Sequence, residues 1–231
     1  MDGRLITWTD GTGLVAVVPV RGLRGGKTRL SDRFDEDARA AVTCAMLRRV
    51  LIALRDSGVV DRVAVVTPDP AVGAAFPTPA ERIELVRQPE GQSGLNQALL
   101  IGRGWAAGRG ADRLLVLSAD LPLLQPDDIR RLAARHAPVV LAVDRHGTGT
   151  NGLLLREPEA EAFTFGFGEQ SALRHVAEAD RLGLPVVRAV TSGTAFDLDT
   201  PDDWDALPAE VRDILTPARR GVARWETVPC P

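Results

Sequence analysis

The stretch VAVVPVRGLRGGKTRL, Val15 to Leu30, interleaves four cations, Arg21, Arg24, Lys27 and Arg29, with Gly22, Gly25 and Gly26. Glycines let a backbone approach a ligand closely, and guanidinium and ammonium groups hold phosphate oxygens. The chemistry this suggests is polyphosphate binding. The GGKT tetrapeptide invites a P-loop reading, but the spacing rejects it. Gly, four residues, Gly, Lys, then Ser or Thr would put the first glycine at position 21, which is Arg. Arg29, Leu30, Ser31 and Asp32 also separate Lys27 from the next helical pattern. A P-loop helix starts at the Lys-Thr itself, so that its amides face the phosphates.

A second group is acidic. LVLSADLPLL sets Asp120 just past an apolar run, with Pro122 stiffening the turn. FDLD sets Asp197 and Asp199 two apart, on one face of an extended segment. Two such carboxylates, with a third from another strand end, make an oxygen site for Mg²⁺. Asp202 and Asp203 read instead as the first turn of a helix, where negative charge suits the dipole.

These groups need strands and helices to bring them together. Leu14–Val20, Arg62–Thr67, Arg82–Arg87, Arg113–Ser118, Pro138–Val143, Gly152–Leu155 and Leu184–Ala189 read as strands. The first is a continuous β-branched run, the mark of a strand buried on both faces. Helical patterns cover Asp35 to about Ser57, with Ala41, Met46, Val50, Ala53 and Leu54 on one stripe, then Leu95–Ala107, Pro126–His136 and Gln170–Arg181. A short helix follows FDLDTPDDW and another starts near Pro208. This alternation predicts a three-layer α/β/α sandwich on a mostly parallel sheet. Ligands of such folds bind beyond the carboxyl ends of the strands. The loops to watch are therefore those after Val20, Arg87, Ser118 and Leu155, and the return near Phe196. Residues 1–13 read as a loose polar leader, 14–215 as one domain and 216–231 as a Pro/Arg-rich tail.

Composition excludes several classes. A net charge of −3 offers no basic field for nucleic acid, and six Phe, four Trp and no Tyr make a poor stacking platform for bases. No apolar run approaches the roughly 20 residues of a membrane span. Two cysteines, Cys44 and Cys230, have no zinc spacing; Cys44 falls in an apolar helical pattern and reads as core. Few cysteines and no signal peptide point to the cytoplasm.

Six stretches in order, VPVRGLRGGKTRL, GLNQAL, SADLPLL, GTNGLLL, FGFGEQSALRH and FDLDTPDDW, span about residues 14–205. They resemble the guanylyltransferases of coenzyme F420 biosynthesis, in the superfamily of molybdenum-cofactor guanylyltransferases and sugar-nucleotide pyrophosphorylases. The resemblance implies a Rossmann-like, nucleotide-diphospho-sugar transferase-like domain that joins GMP from GTP to 2-phospho-L-lactate or phosphoenolpyruvate. The Ala-, Arg- and Gly-rich composition suits an actinobacterial origin and favours phosphoenolpyruvate. Roles follow from the same resemblance. Lys27 with Arg21 and Arg29, on a loop opened by Gly22, Gly25 and Gly26, would hold the GTP phosphates. Gly94, Leu95 and Asn96 would lie by the nucleoside. Asp120, Asp197 and Asp199 would bind Mg²⁺. Thr150, Gly168 and Ser171 would hold the phosphate and carboxylate of the acceptor, with Asn151 taking a tight backbone turn that leaves the Thr150 hydroxyl free. Gly168–Ser171 opens a predicted helix, whose N-terminus attracts anions. Glu169 departs from the family's smaller turn and is unfavourable beside an anion unless it points away.

The implied reaction needs no general base. A phosphate monoester, with a second pKa of about 6, is largely a dianion at neutral pH and attacks directly. That fits a chain with three histidines: His136 at a predicted helix end, His146 in a polar loop, and His175 on the same helix face as Ser171. Within the fold, 2-phospho-L-lactate, 3-phosphoglycerate or a molybdopterin-like phosphate remain alternative acceptors. A non-catalytic nucleotide-binding protein and a P-loop kinase are the alternatives from other classes. The partners expected are GTP and a small phosphorylated carboxylic acid, with functional coupling to the next enzyme of the F420 pathway. The oligomeric state, a homodimer included, is left open.

Overall fold

In the computed structural model, residues 13–77, 82–156 and 162–216 are described. The expected leader lies almost wholly outside them, at residues 1–12, as does most of the expected tail, at 217–231. Seven strands form one sheet: β1 (Leu14–Pro19), β2 (Val60–Thr67), β3 (Ile83–Arg87), β4 (Arg113–Leu117), β5 (Val139–Val143), β6 (Thr150–Arg156) and β7 (Val186–Ala189), in the order β3-β2-β1-β4-β6-β5-β7. β1 pairs in parallel with β2 and β4, β2 with β3, and β5 with β7. β6 alone runs antiparallel, to β4 and to β5.

The antiparallel strand corrects one sequence expectation. The carboxyl ends of the other six strands share an edge with the amino end of β6, so Thr150 and Asn151 stand at the ligand edge. Leu155 and Arg156, at the carboxyl end of β6, stand at the opposite edge, and the loop that follows lies outside the described residues. A strand's direction depends on its connection, and Gly147 in its left-handed conformation (φ 72°) lets β5 reverse directly into β6 without a crossover helix.

Alternation along the strands sets the layers. Leu14, Ala16 and Val18 of β1 share a core with Leu47, Val50, Leu51 and Leu54 of α1 (Glu36–Asp56) and Ile129 and Leu132 of α3 (Pro126–Ala133). Val15 and Val17 face the other layer: α2 (Leu95–Ala107), α4 (Ser171–Arg181) and the phenylalanines Phe163, Phe165 and Phe167. The expected α/β/α sandwich is the fold observed. α2 lies so close to the sheet that a Cβ on Gly102 would sit 2.4 Å from Val17 Cγ1. α1 is buried on two sides, because Val42 and Met46 join a separate cluster with Leu30, Leu198 and Trp204. Its expected single stripe is therefore incomplete, and Ala41 is only half-buried. α3 stops at Ala133, short of His136, since Pro138 lacks a donor and turns the residue before it away from helix.

Candidate active site

The glycine loop leaves β1 and is pinned from beneath. The Leu23 amide donates to Asp69 Oδ2 at 3.2 Å, and a Cβ on Gly22 would come within 3.2 Å of the same oxygen. Gly25 adopts φ 73°, and neither it nor Gly26 has any atom within 4 Å of where a Cβ would stand. This is an open backbone face of the kind that admits a phosphate. Arg21 and Arg29 are exposed and, among the described residues, neither has a side-chain hydrogen bond or ion pair. Arg24 is tied to Asp37 at 2.7 Å.

Lys27 breaks the pattern of its neighbours by turning inward. It is in the left-handed region, φ 51° and ψ 39°, which costs a non-glycine residue about 1–2 kcal/mol. Its ammonium spans two carboxylates, Asp120 Oδ2 at 2.6 Å and Asp199 Oδ1 at 2.7 Å, and its side chain is 11% exposed. Burial pulls the Lys27 pKa down, but the two carboxylates outweigh it and hold the ammonium above its ordinary value.

Packing explains why residues so distant in sequence meet. Leu30, three residues past Lys27, and Leu198, adjacent to Asp199, are fully buried in the same cluster on α1. The Leu198 amide donates to the Asp120 carbonyl at 3.1 Å, stitching the two acidic turns together. Arg49 of α1 donates to the Pro122 carbonyl at 2.8 Å and holds the turn after β4. Asp203 caps the start of α6 (Pro201–Ala206; α5 is Ser192–Ala195) and accepts from the Asp199 amide at 2.9 Å. Arg145 pairs with the other Asp203 oxygen. Burial raises the Asp203 pKa, but the amides of Asp199 and Thr200 and the Arg145 charge bring it below the usual range.

Asp197 sits beside these groups without the ammonium. Asn151 Nδ2 donates to its Oδ1 at 3.4 Å and to the Thr194 carbonyl at 3.0 Å. Burial, then the charges of Asp120 and Asp199, push its pKa up. The charges of Asp120 and Asp199 are thus felt at Asp197. Among the described residues, however, no three His, Cys, Asp or Glu side chains are already gathered as a metal cage. The ammonium of Lys27 is the cation between Asp120 and Asp199. The donor set itself, three carboxylates with unbalanced charge at Asp197, is that of a hard divalent ion.

The remaining expected residues gather across β6. Thr150 and Ser171 are 5% and 2% exposed. The Thr150 amide donates to Ser171 Oγ at 2.8 Å, and Thr150 Oγ1 lies 3.0 Å from His175 Nδ1. The Thr150 hydroxyl is thus engaged by an imidazole, where the sequence left it free. The helix N-terminus is not an open cradle either: Ser171 N donates to Gly168 O and Ala172 N to Thr148 O. Gly168 is exposed, and so is Glu169, which makes no hydrogen bond or ion pair among the described residues. Gly94 (φ 105°) opens α2 beside Leu95, which is 45% exposed. Asn96 is committed elsewhere: it donates to Phe167 O at 3.2 Å and accepts from Phe167 N at 2.9 Å. His136 makes no hydrogen bond or ion pair among the described residues, and His146 accepts from Arg145 Nε at 3.2 Å. Asn151 lies within the extended β6, not in the tight turn expected of it, because its backbone pairs in the sheet. Sequence reasoning missed it, Asp203 and Arg145 as supports; an Asn within the apolar run TNGLLL was the one visible signal.

The family model described as "Guanylyl transferase CofC like" matches residues 14–208. The chain belongs to that family. This guanylyltransferase is 42% identical over 195 residues to the phosphoenolpyruvate guanylyltransferase of Sphaerobacter thermophilus, covering 84% of this chain and 91% of the relative. It is 45% identical over 204 residues to that of Rubrobacter xylanophilus, covering 84% and 93%. Among solved structures, a nucleotidyl transferase from Methanothermobacter thermautotrophicus is similar with a TM-score of 0.61 at 19% identity, over 89% of this chain and 98% of that one. A Mycobacterium tuberculosis protein solved with manganese is similar with a TM-score of 0.53 at 18% identity, over 84% and 97%. The family resemblance and the nucleotidyltransferase fold expected from the sequence are both borne out.

Proposed function

We propose that this guanylyltransferase transfers GMP from GTP to phosphoenolpyruvate and releases pyrophosphate, in the cytoplasm. The single observation that carries the geometry is the Lys27 ammonium shared by Asp120 and Asp199 beneath an open glycine loop. The choice of acceptor rests on the names of relatives at 42% and 45% identity.

A phosphate oxygen of the acceptor forms a bond to the α-phosphorus of GTP, the bond from that phosphorus to the bridging oxygen breaks, and pyrophosphate leaves with the electron pair. The attacking dianion needs no base, so the work is positioning and charge neutralisation. Among the described residues Arg21 and Arg29 are unpaired, which leaves them to the triphosphate. Gly22, Gly25 and Gly26 allow the loop to close on it. Gly94 and the exposed Leu95 border the nucleoside, with Asn96 fixing the turn behind it. Asp120, Asp197 and Asp199 would hold Mg²⁺, which when bound supplies positive charge against the phosphates. Lys27, with Arg21 and Arg29, would hold the GTP phosphates. Thr150, Gly168 and Ser171 form the acceptor side. The product is a phosphoanhydride with GMP as its leaving group, and an enzyme that displaces GMP must consume it. The family match and the resemblance of the six motifs support a place in coenzyme F420 biosynthesis, with coupling to the next enzyme there.

The test is pyrophosphate release from GTP and Mg²⁺ with each phospho-acid in turn. Release only with an acceptor, and the highest kcat/KM with phosphoenolpyruvate, is expected. A higher value with 2-phospho-L-lactate or 3-phosphoglycerate would reassign the acceptor. GDP as product would replace the transferase reading with a kinase.

A further inference from the structure

His175 is the one fully buried histidine among the described residues, and nothing in the reaction above uses it. Both ring nitrogens are engaged. The Gly166 amide donates to Nε2 at 3.1 Å, so Nε2 carries no proton. Nδ1, 3.0 Å from Thr150 Oγ1, must then be the N–H of a neutral ring and donates to that hydroxyl. The hydroxyl accepts and keeps its own proton for another oxygen. The ring is gripped by Phe167, edge-on at 4.6 Å between centroids, and by Phe163 at 5.9 Å. The turn that His175 holds at Gly166 is held one residue later by Asn96, through both backbone groups of Phe167. It ends at Gly168, the exposed residue of the acceptor side.

We infer that His175 is a positioning residue for the acceptor half of the site: as a neutral Nδ1–H tautomer it orients the Thr150 hydroxyl and fixes the Gly166–Gly168 turn, with no contact to the acceptor itself. The inference rests on the guanylyltransferase reading of this site. The substitutions separate its two bonds. H175N retains a donor near Nδ1 and loses the acceptor for Gly166. H175Q retains an acceptor near Nε2 and loses the donor to Thr150. Each is expected to raise the KM for the phospho-acid roughly five- to tenfold, the scale of one hydrogen bond, with the KM for GTP unchanged within about twofold. H175L, lacking both, is expected to raise it further, and H175N and H175Q to rescue it in part.

A rise of both KM values together, or no rise in either variant, would overturn the positioning role. Two-bond ¹H–¹⁵N correlation spectra of the histidines in the wild-type protein give a readout that needs no turnover. A neutral Nδ1–H pattern for His175, shifted by T150V, is expected. An Nε2–H tautomer or a charged ring at neutral pH would overturn the inference. A wild-type chain inert with every phospho-acid refutes the functional reading instead, and the positioning role with it, while the tautomer stands or falls on the spectrum.

Discussion

Replacing Lys27 by Met removes the ammonium from the junction of Asp120 and Asp199 while keeping a long side chain and the same left-handed backbone cost. Two charge-assisted hydrogen bonds are lost, each contributing about 1.5–3 kcal/mol when well shielded. The carboxylates are 30% and 46% exposed, so water recovers much of this. A net loss of about 2 kcal/mol is expected, which lowers Tm by roughly 4–8 °C in a domain of this size. The pH of the assay is uncritical below about 9. Lys27 has a raised folded pKa, so its contribution is fully present below the unfolded value near 10.4 and is lost only as pH rises through the folded one. The measurement is thermal unfolding in EDTA, repeated with excess Mg²⁺. Without their ammonium the carboxylates accept the divalent ion more readily, so Mg²⁺ stabilises K27M more than wild type; ligand at a hundred times Kd stabilises by about 2.7 kcal/mol. Turnover is expected to fall about 10²- to 10³-fold, the scale of one preorganised donor lost at a developing charge. An unchanged Tm in EDTA, or a larger Mg²⁺ shift in wild type than in K27M, would refute the reasoning.

Other substitutions probe the remaining supports. D197N removes a carboxylate that burial and its neighbours disfavour; Tm in EDTA should rise by roughly 1–3 °C, on the scale of about 0.5–1 kcal/mol, while pyrophosphate release is lost. The raised folded pKa of Asp197 means its ionisation opposes folding: the stability present below its unfolded pKa is lost as pH rises through the folded one. Protons therefore compete with metal there, and the Mg²⁺-induced Tm shift, measured by calorimetry, should shrink as pH falls toward that raised value. D203A frees the Asp199 amide and unpairs Arg145; a roughly tenfold higher Mg²⁺ requirement for activity is expected. G102A drives a methyl into Val17 and should cost about 1–3 kcal/mol in urea unfolding with substrate KM values unchanged.

Much of the candidate site was proposed from the sequence because its residues obey local rules. Asp120 follows a buried strand, Asp197 and Asp199 alternate on an extended segment, and glycines punctuate a basic loop. Other features had no local signature. The pairing of Lys27 with Asp120 and Asp199 spans most of the chain and depends on Leu30 and Leu198 sharing one cluster. Asn96 was assigned to the nucleoside by its neighbours in sequence, yet it clamps Phe167 across 71 residues.

The sequence by itself determined the layers, the strand ends that carry the chemistry and the family, because periodicity and motif order are properties of the chain. Only the tertiary structure decided that β6 runs backward and brings its first residues to the ligand edge. It alone decided that Lys27 faces inward and that His175 joins Thr150 to Gly166. The reason is physical: strand direction, the partner of a buried ammonium and the tautomer of a buried imidazole depend on which donors and acceptors packing brings within about 3 Å, and that proximity is set by the whole fold.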